Sequence, residues 1–258
     1  MKPERLTQNR EVRARFWWRF GERAPALYDA IHGLERVLAI NCGACPHMSF
    51  AFVKNRVVYA HSLDIFSLDR FDWFALLQSR IHEVWGRFFA SSLEDRLRYT
   101  PTDCFETFPL PDNNVDRSAM EHAGKEYYEA RAALMQSTNK GLTETYNRFN
   151  DPEDQDPVIL RLRALHAAMD RAVLDAYGWT DLHPVAIHER EWDAQDEDEK
   201  PAPWRLRWPE ADRDTVLARL LDLNRSRHEE EAKAEAAATP ARRRPRRPSP
   251  ASAVPLFE

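Results

Sequence analysis

The pattern of apolar and polar positions divides the chain into helical stretches around one short region of strand-like texture. From Arg36 to Leu68, four apolar bursts (VLAI, SFAFV, VVYA and LDIF) are separated by polar or turn residues, which predicts strands or hairpins. Elsewhere, apolar residues recur every three or four positions, which predicts helices. These helical stretches are 9–34 with an interruption near Pro25, 70–91, 115–137, 157–177 and 210–228. The pattern predicts an α+β fold, with a small β-rich element embedded in a mainly helical domain.

Two of these helices carry further detail. In 157–177, Asp156 is a good N-cap residue, Pro157 suits the first helical position, and Gly178 can end the helix. In 70–91, the apolar residues that fall on one face are Phe74, Leu77, Ile81, Val84 and Phe88.

Charge is unevenly distributed along the 258 residues. The formal net charge of −5 excludes a uniformly basic nucleic-acid-binding surface but not a local basic patch. Residues 1–27 hold seven Lys or Arg against three Glu, whereas residues 188–200 hold seven acids against two bases. The segment 235–258 is rich in arginine and proline and buries little apolar surface, so we expect it to be disordered.

Composition excludes several classes of protein. No apolar run approaches the length of a membrane span, and the charged N-terminus does not resemble a secretion signal. Three cysteines in a chain of this length favour a reducing, cytoplasmic setting. The seven glycines form no phosphate-cradling loop, so we expect no nucleotide-binding fold in this chain.

The Cys42-Gly-Ala-Cys45 pair, with His47 nearby, has the form of half a zinc site. Tetrahedral zinc takes four ligands, usually from two such pairs, and the only other thiol is Cys104. Small buried or turn cysteines are therefore the favoured interpretation.

The triplet Asp198-Glu199-Lys200 matches the acid-x-Lys half of a metal-dependent nuclease signature. It lies within the acidic run, which favours a solvated loop. His82 and His166 lie within amphipathic helices, where a position at the core edge or surface is expected. Ser79, His82 and Trp85 share one helical face, which favours packing over catalysis. We predict no metal site and no catalytic residue from these patterns.

The segment 79–111 mixes aromatic side chains with arginines. The aromatics are Trp85, Phe88, Phe89, Tyr99, Phe105 and Phe108, and the arginines are Arg80, Arg87, Arg96 and Arg98. Since arginine is the usual bidentate reader of guanine and also contacts phosphate, the mixture is compatible with DNA binding. Three acids lie between these arginines (Glu83, Glu94 and Asp95), which leaves open the alternative of a helix packed under a loop closed by Phe108-Pro109.

Three blocks resemble the C-terminal, target-recognition half of large adenine-specific DNA methyltransferases of the type IIG restriction–modification and phage-defence kind. The first block contains KPER, Asn9-Arg10, Phe16-Trp17-Trp18-Arg19-Phe20-Gly21 and Leu34-Glu-Arg36. The second contains Ser79-Arg-Ile-His82, Trp85, Ser92-Leu93, Arg98-Tyr99-Thr100 and Phe105-Glu-Thr-Phe108-Pro109-Leu-Pro111. The third contains Leu165-His166-Ala-Ala-Met-Asp170, Ala176-Tyr177-Gly178-Trp179 and Leu220-Leu-Asp-Leu-Asn224. Together they span about residues 2–226.

The resemblance implies a DNA target-recognition module without the catalytic half. Such enzymes hold the methyl donor with a glycine-containing loop and the adenine with an Asn/Asp-Pro-Pro-aromatic tetrapeptide. Here Asp151-Pro152 and Asp156-Pro157 are followed by Glu153 and Val158, so neither completes the tetrapeptide. The implied partners are double-stranded DNA and a separate methyltransferase domain or subunit, which would carry S-adenosylmethionine. A truncated gene, a split subunit or a fragment of a longer reading frame would each fit this pattern.

The resemblance also implies a division of the chain and a set of candidate residues. The expected units are a target-recognition region (1–112), a helical C-terminal region (113–234) and the tail (235–258). The candidate DNA contacts are Arg10, Arg13, Arg15, Arg19, Arg56, Arg80, Arg87, Arg96 and Arg98. The residues that carry the family motif are Ser79, His82, Trp85, Tyr99, Phe105, Phe108, Pro109 and Pro111.

Two other functions remain open from the sequence. The chain could be a protein-interaction subunit that docks on a separate methyltransferase and reads little DNA itself. It could also be an autonomous nuclease that uses the acidic run near Asp198 with a divalent metal.

Overall fold

The computed structural model describes residues 15, 24–43, 45–93, 96–191 and 202–238, with side chains described for all of these except 91–97 and 235–238. Its helices are α1 (Pro25–Ala30), α2 (Phe71–Gln78), α3 (Arg80–Phe89), α4 (Pro101–Cys104), α5 (Ser118–Thr138), α6 (Leu142–Asn150), α7 (Pro157–Ala176) and α8 (Glu210–Ala238). Its strands are β1 (Arg36–Asn41), β2 (Ala51–Lys54), β3 (Leu63–Phe66), β4 (Ser91–Leu93), β5 (Arg96–Arg98), β6 (Ile187–Arg190) and β7 (Trp204–Arg207). The α+β prediction is confirmed.

The predicted β-rich element is a three-stranded antiparallel sheet in the order β2-β1-β3. The central strand places Leu38 opposite Phe52 on one neighbour and opposite Phe66 on the other. Leu38, Ile40 and Phe66 are buried in the main core, since alternate residues of a strand point to the same face. Three of the four predicted bursts are strands. The VVYA burst is wrong as a strand, because residues 57–60 lie in the connection between β2 and β3.

The predicted helix 70–91 is two helices, α2 and α3, separated at Ser79. Ser79 has an extended backbone and its side-chain oxygen accepts a hydrogen bond from the His82 backbone N–H, so it caps α3. The break changes the helical phase, and the single apolar face predicted across it is therefore wrong at its end. Phe88 is 56 % exposed, whereas Phe74, Leu77 and Ile81 are fully buried.

One hydrophobic core joins the sheet, α2 and α3 to the later helices. It extends from Leu38 in β1 to Leu220 in α8 and crosses residue 112. The predicted helices 115–137 and 157–177 correspond to α5 and α7, and Asp156 caps α7 through the Val158 N–H. α6 and the β6–β7 hairpin were not predicted.

Two predicted terminal features are corrected or left untested. α8 extends to Ala238, ten residues beyond the expected end and four into the tail expected to be disordered, because Glu, Ala and Lys of residues 229–238 are strong helix formers. Residues 239–258 lie outside the described part of the chain, as do 1–14 and 16–23, which hold most of the predicted helix 9–34.

Gly124 marks a close approach between α5 and α2. A Cβ at this position would lie 2.4 Å from the Phe71 carbonyl oxygen and 3.0 Å from the Ala75 Cβ. Replacing an exposed glycine within a helix by alanine stabilises the helix by up to about 1 kcal/mol. At Gly124, however, the added methyl group would force α5 and α2 apart. We expect Gly124→Ala to lower the free energy of unfolding by about 1–3 kcal/mol, measured by urea denaturation. A more stable variant would contradict the close packing.

Within the described residues, no helix is both long and apolar enough to cross a membrane.

Candidate nucleic-acid interface

His82 lies in a closed aromatic box beneath the sheet. Its Nε2 atom lies 3.0 Å from the Tyr99 hydroxyl, and its ring packs against Phe50 and Phe108. The side chain is fully buried, and this burial lowers its pKa from 6.5 to about 3. His82 is therefore neutral at physiological pH and is a core residue, which corrects the expected position at the core edge.

The Phe-Pro segment is tied to three helices by hydrogen bonds. The Trp85 indole N–H of α3 donates to the Thr107 hydroxyl (3.2 Å), and the Tyr177 hydroxyl after α7 donates to the Pro109 carbonyl (2.8 Å). The Asn224 side chain of α8 donates to the Thr107 carbonyl (2.6 Å). The segment is therefore a structural joint between the two regions of the chain.

The family-motif residues consequently form the scaffold rather than a binding surface. Phe105 is half-buried against the core, and the buried members are Ser79, His82, Trp85, Tyr99, Phe108, Pro109 and Pro111. The motif fixes how the sheet is held, and any reading of DNA falls to other side chains.

Arg80 is also an interior residue. Its Nη1 atom lies 2.6 Å from Asp170 Oδ2 and 2.8 Å from His166 Nδ1, and its Nε and Nη2 atoms both donate to the Leu206 carbonyl at 3.1 Å. The Arg80 and Asp170 side chains are 3 % and 4 % exposed. This placement removes Arg80 from the candidate DNA contacts and moves His166 from the expected core edge or surface into the core.

The charge of Asp170 is sustained by its neighbours. Burial alone would raise the pKa of this carboxyl, but His166 and Arg80 together hold it below its ordinary value of 3.8. A charged Asp170 thus links α7 to α3 and, through Arg80, to β7.

Arg87 is held between two carboxylates. Its Nε and Nη1 atoms each lie 2.8 Å from an oxygen, of Glu83 and of Glu191 respectively, and Glu191 also pairs with Arg205. Since these acids already bind its guanidinium, Arg87 is a poor candidate for contact with DNA.

Two glutamates at the start of the acidic run, Glu189 and Glu191, form ion pairs. Glu189 pairs with Arg207 and Arg213, and Glu191 is nearly buried beside Arg205, so both help to hold the β6–β7 hairpin. The sequence alone did not indicate these ion pairs. The nuclease-like triplet 198–200 lies outside the described residues.

Among the described residues before 112, few exposed cations lack a carboxylate partner. Lys54, Arg56 and Arg98 are exposed, and none of them lies within 4 Å of a carboxylate in the part of the chain that the structure describes. Arg15 is also exposed. The remaining candidates, Arg10, Arg13, Arg19 and the side chain of Arg96, lie outside the described part. Of the predicted DNA contacts, Arg56 and Arg98 are therefore the best remaining candidates.

The helical C-terminal region contacts the backbone at the start of β2. Arg131 of α5 is buried and donates from Nη2 to the Phe50 carbonyl (2.7 Å), while Gln78 accepts from the Phe50 N–H (2.9 Å). Both the N–H and the carbonyl of Phe50, which precedes β2, are therefore hydrogen-bonded to buried side chains. This contact gives the loop that follows β2 a rigid base.

The half-zinc pattern is engaged in other contacts. The Cys42 thiol donates to the His61 carbonyl (3.4 Å), and His47 Nε2 lies 2.8 Å from Asn147 Oδ1. Among the described residues, no group of three or more His, Cys, Asp or Glu side chains is placed to hold a metal ion.

The acidic partners of Arg80 and Arg87 could not be predicted from the sequence. Asp170 is four residues after His166, which places both on one face of α7, but nothing local identifies Arg80 as their partner 90 residues earlier. The β6–β7 hairpin had a weak signal in the alternation of Trp204-Arg-Leu-Arg207.

Two comparisons with known proteins found a match to this chain. Residues 23–112 match the family model described as "MmeI, target recognition domain". A solved structure of the type IIL restriction–modification enzyme MmeI in complex with DNA is similar in fold, with a TM-score of 0.58 and 18 % identity over 87 % of this chain and 25 % of that chain. The chain thus spans about a quarter of the length of that structure. No curated protein sequence matches it.

Proposed function

We propose that this chain, whose residues 23–112 match the MmeI target recognition domain, is a DNA target-recognition module of a restriction–modification enzyme and selects a site in double-stranded DNA. The observation that carries the proposal is this match, which covers the whole β-rich element, α2, α3 and the Phe-Pro segment. The fold similarity to MmeI extends the support to most of the chain.

The geometry supports a division of labour within the module. The family-motif side chains are buried or half-buried and fix the sheet. Lys54, Arg56 and Arg98, which have no carboxylate within 4 Å among the described residues, lie at the surface. Phosphate contacts orient such a module on the duplex, and contacts to base edges select the sequence.

Methyl transfer is assigned to a separate domain or subunit in this proposal. The described strands pair only antiparallel, and no glycine-rich loop joins one of them to a helix, so this part of the chain is poorly suited to hold S-adenosylmethionine. Adenine specificity and a type IIG organisation belong to the proposal as predictions from the resemblance, and a cytoplasmic location belongs to it as a prediction from the cysteine content. The structurally similar enzyme is described as type IIL.

The experiment is selection of duplexes from a randomised pool by the full chain, followed by anisotropy titrations of the selected duplex. We expect Arg56→Ala to weaken binding about tenfold, the loss of a single good arginine contact. If Arg56 binds phosphate, the slope of log K against log salt should also fall by about 0.9.

The matched control is Lys125→Ala. Lys125 is an exposed cation on α5, paired with Glu129 and outside the matched segment, so its loss should leave affinity unchanged. Enrichment of no duplex sequence, with or without a methyltransferase partner, would overturn the proposed function. Binding that appears only with the partner would assign the chain a docking role instead.

A further inference from the structure

The connection between β2 and β3, residues 55–62, presents two neighbouring valines to solvent. Val57 and Val58 are 48 % and 59 % exposed. The sequence predicts a strand here, yet both side chains are exposed in the connection that runs from the Arg36 end of β1 to its Asn41 end. Exposed apolar side chains grouped at one place often mark an interaction site.

The start of the 55–62 loop is fixed by Asn55. The Asn55 side-chain amide donates to the carbonyls of Ile31 (2.6 Å) and Leu34 (3.0 Å), and its backbone N–H donates to the Glu35 carbonyl (3.0 Å). Three hydrogen bonds from one residue anchor the loop to the segment after α1.

The end of the loop is fixed by Cys42 and Tyr59. The Cys42 backbone N–H donates to the Ser62 carbonyl (2.9 Å), and the Cys42 thiol donates to the His61 carbonyl. The Tyr59 ring stacks on Tyr28 with centroids 6.3 Å apart. The two valines therefore sit on a preformed loop, so that little conformational entropy is lost when they bind.

Two exposed cations lie close to the valines along the chain. Arg56 precedes them and Lys54 ends β2, and neither has a carboxylate within 4 Å among the described residues. A partner for this loop should therefore combine negative charge with a small apolar group. The major groove of a duplex meets both requirements, because a pyrimidine C5-methyl group projects there beside base-edge acceptors and between phosphates.

We propose that Val57 and Val58 contact the C5-methyl group of a pyrimidine in the major groove, either thymine or 5-methylcytosine, with Arg56 binding an adjacent acceptor or phosphate. This inference rests on the proposed function. It adds the chemical group that the loop recognises. Valine suits a methyl contact because it is short and stiff, and the minor groove offers no such methyl group.

The test uses duplexes that differ by single methyl groups. In one arm, each thymine of the selected duplex is replaced in turn by uracil; in the other, each cytosine is replaced by 5-methylcytosine. At one position we expect the methyl group to strengthen binding by the unmodified chain about fourfold, the contribution of one buried methyl. Val57→Ala and Val58→Ala should bind the methylated and unmethylated duplexes with closer affinities, and the double variant should bind them equally.

The matched control is Val185→Ala. Val185 is 75 % exposed, outside the matched segment and after α7, so its replacement should leave the methyl preference intact. Melting temperatures of all variants should agree, since the replaced side chains are exposed. A chain that selects a duplex but shows no methyl preference, or a double variant that keeps it, overturns the inference while leaving the proposed function in place. A chain that prefers no duplex overturns both.

Discussion

Replacement of Asp170 by alanine is expected to lower the free energy of unfolding by about 3–5 kcal/mol, because it removes the ion-pair partner of the buried Arg80 guanidinium. The Asp170 carboxylate accepts from both the Arg80 side chain (2.6 Å) and the Arg80 backbone N–H (2.9 Å). The loss should appear as a lower midpoint in urea denaturation at neutral pH.

Two companion variants separate the causes of this loss. Asp170→Asn keeps most of the volume and removes the charge, so a large effect there assigns the loss to the ion pair rather than to a cavity. Asp222→Ala breaks an exposed pair with Arg225, whose side chains are 71 % and 70 % exposed, and should change stability by less than about 1 kcal/mol. An Asp170→Ala effect as small as that of Asp222→Ala would contradict the buried-pair assignment.

The ends and caps of elements were predictable wherever the signal is local. Asp156 and Pro157 start α7 as their residue types predict, and three apolar bursts became β1, β2 and β3. Ser79 is also a favoured N-cap residue type, so the break between α2 and α3 had a local signal that the continuous apolar pattern obscured. Local propensity and capping chemistry act within a few residues, and the sequence displays both.

The roles of the charged residues were not predictable in the same way. Arg80 and Arg98 look alike in the sequence, yet one is buried against Asp170 and the other is exposed. Whether an arginine reaches DNA or the core depends on a carboxylate brought near by folding, 90 residues away for Arg80. The same holds for Glu191, which pairs with Arg87 and Arg205, neither of which is close to it in the sequence.

The candidate site was only partly predictable from the sequence. Arg56 was identified from its residue type, and it remains exposed and unpaired among the described residues. Val57 and Val58 were assigned to a strand because β-branched residues favour strands. Their exposure follows from the hydrogen bonds of Asn55 and Cys42, which hold the connection as a loop and which no periodicity records.

Acidification is expected to destabilise the protein through His82, starting below pH 6.5. The His82 pKa is about 3 in the folded protein because of burial, against 6.5 unfolded, so between these values the unfolded chain binds one more proton. The unfolding free energy should fall by about 1.4 kcal/mol per pH unit across this window, and by roughly 5 kcal/mol in all. Urea denaturation at a series of pH values measures the slope.

The control is His82→Gln, which keeps a polar partner for the Tyr99 hydroxyl but cannot titrate. His47 and His188, whose pKa values are also lowered chiefly by burial, remain in both proteins. Paired carboxylates such as Asp170, whose protonation destabilises the fold at still lower pH, also remain in both. The difference between the two stability curves therefore isolates His82. It should be flat above about pH 7 and favour the variant progressively below about pH 6. Parallel curves across that range would show that His82 is protonated in the folded protein, or that the aromatic box admits water.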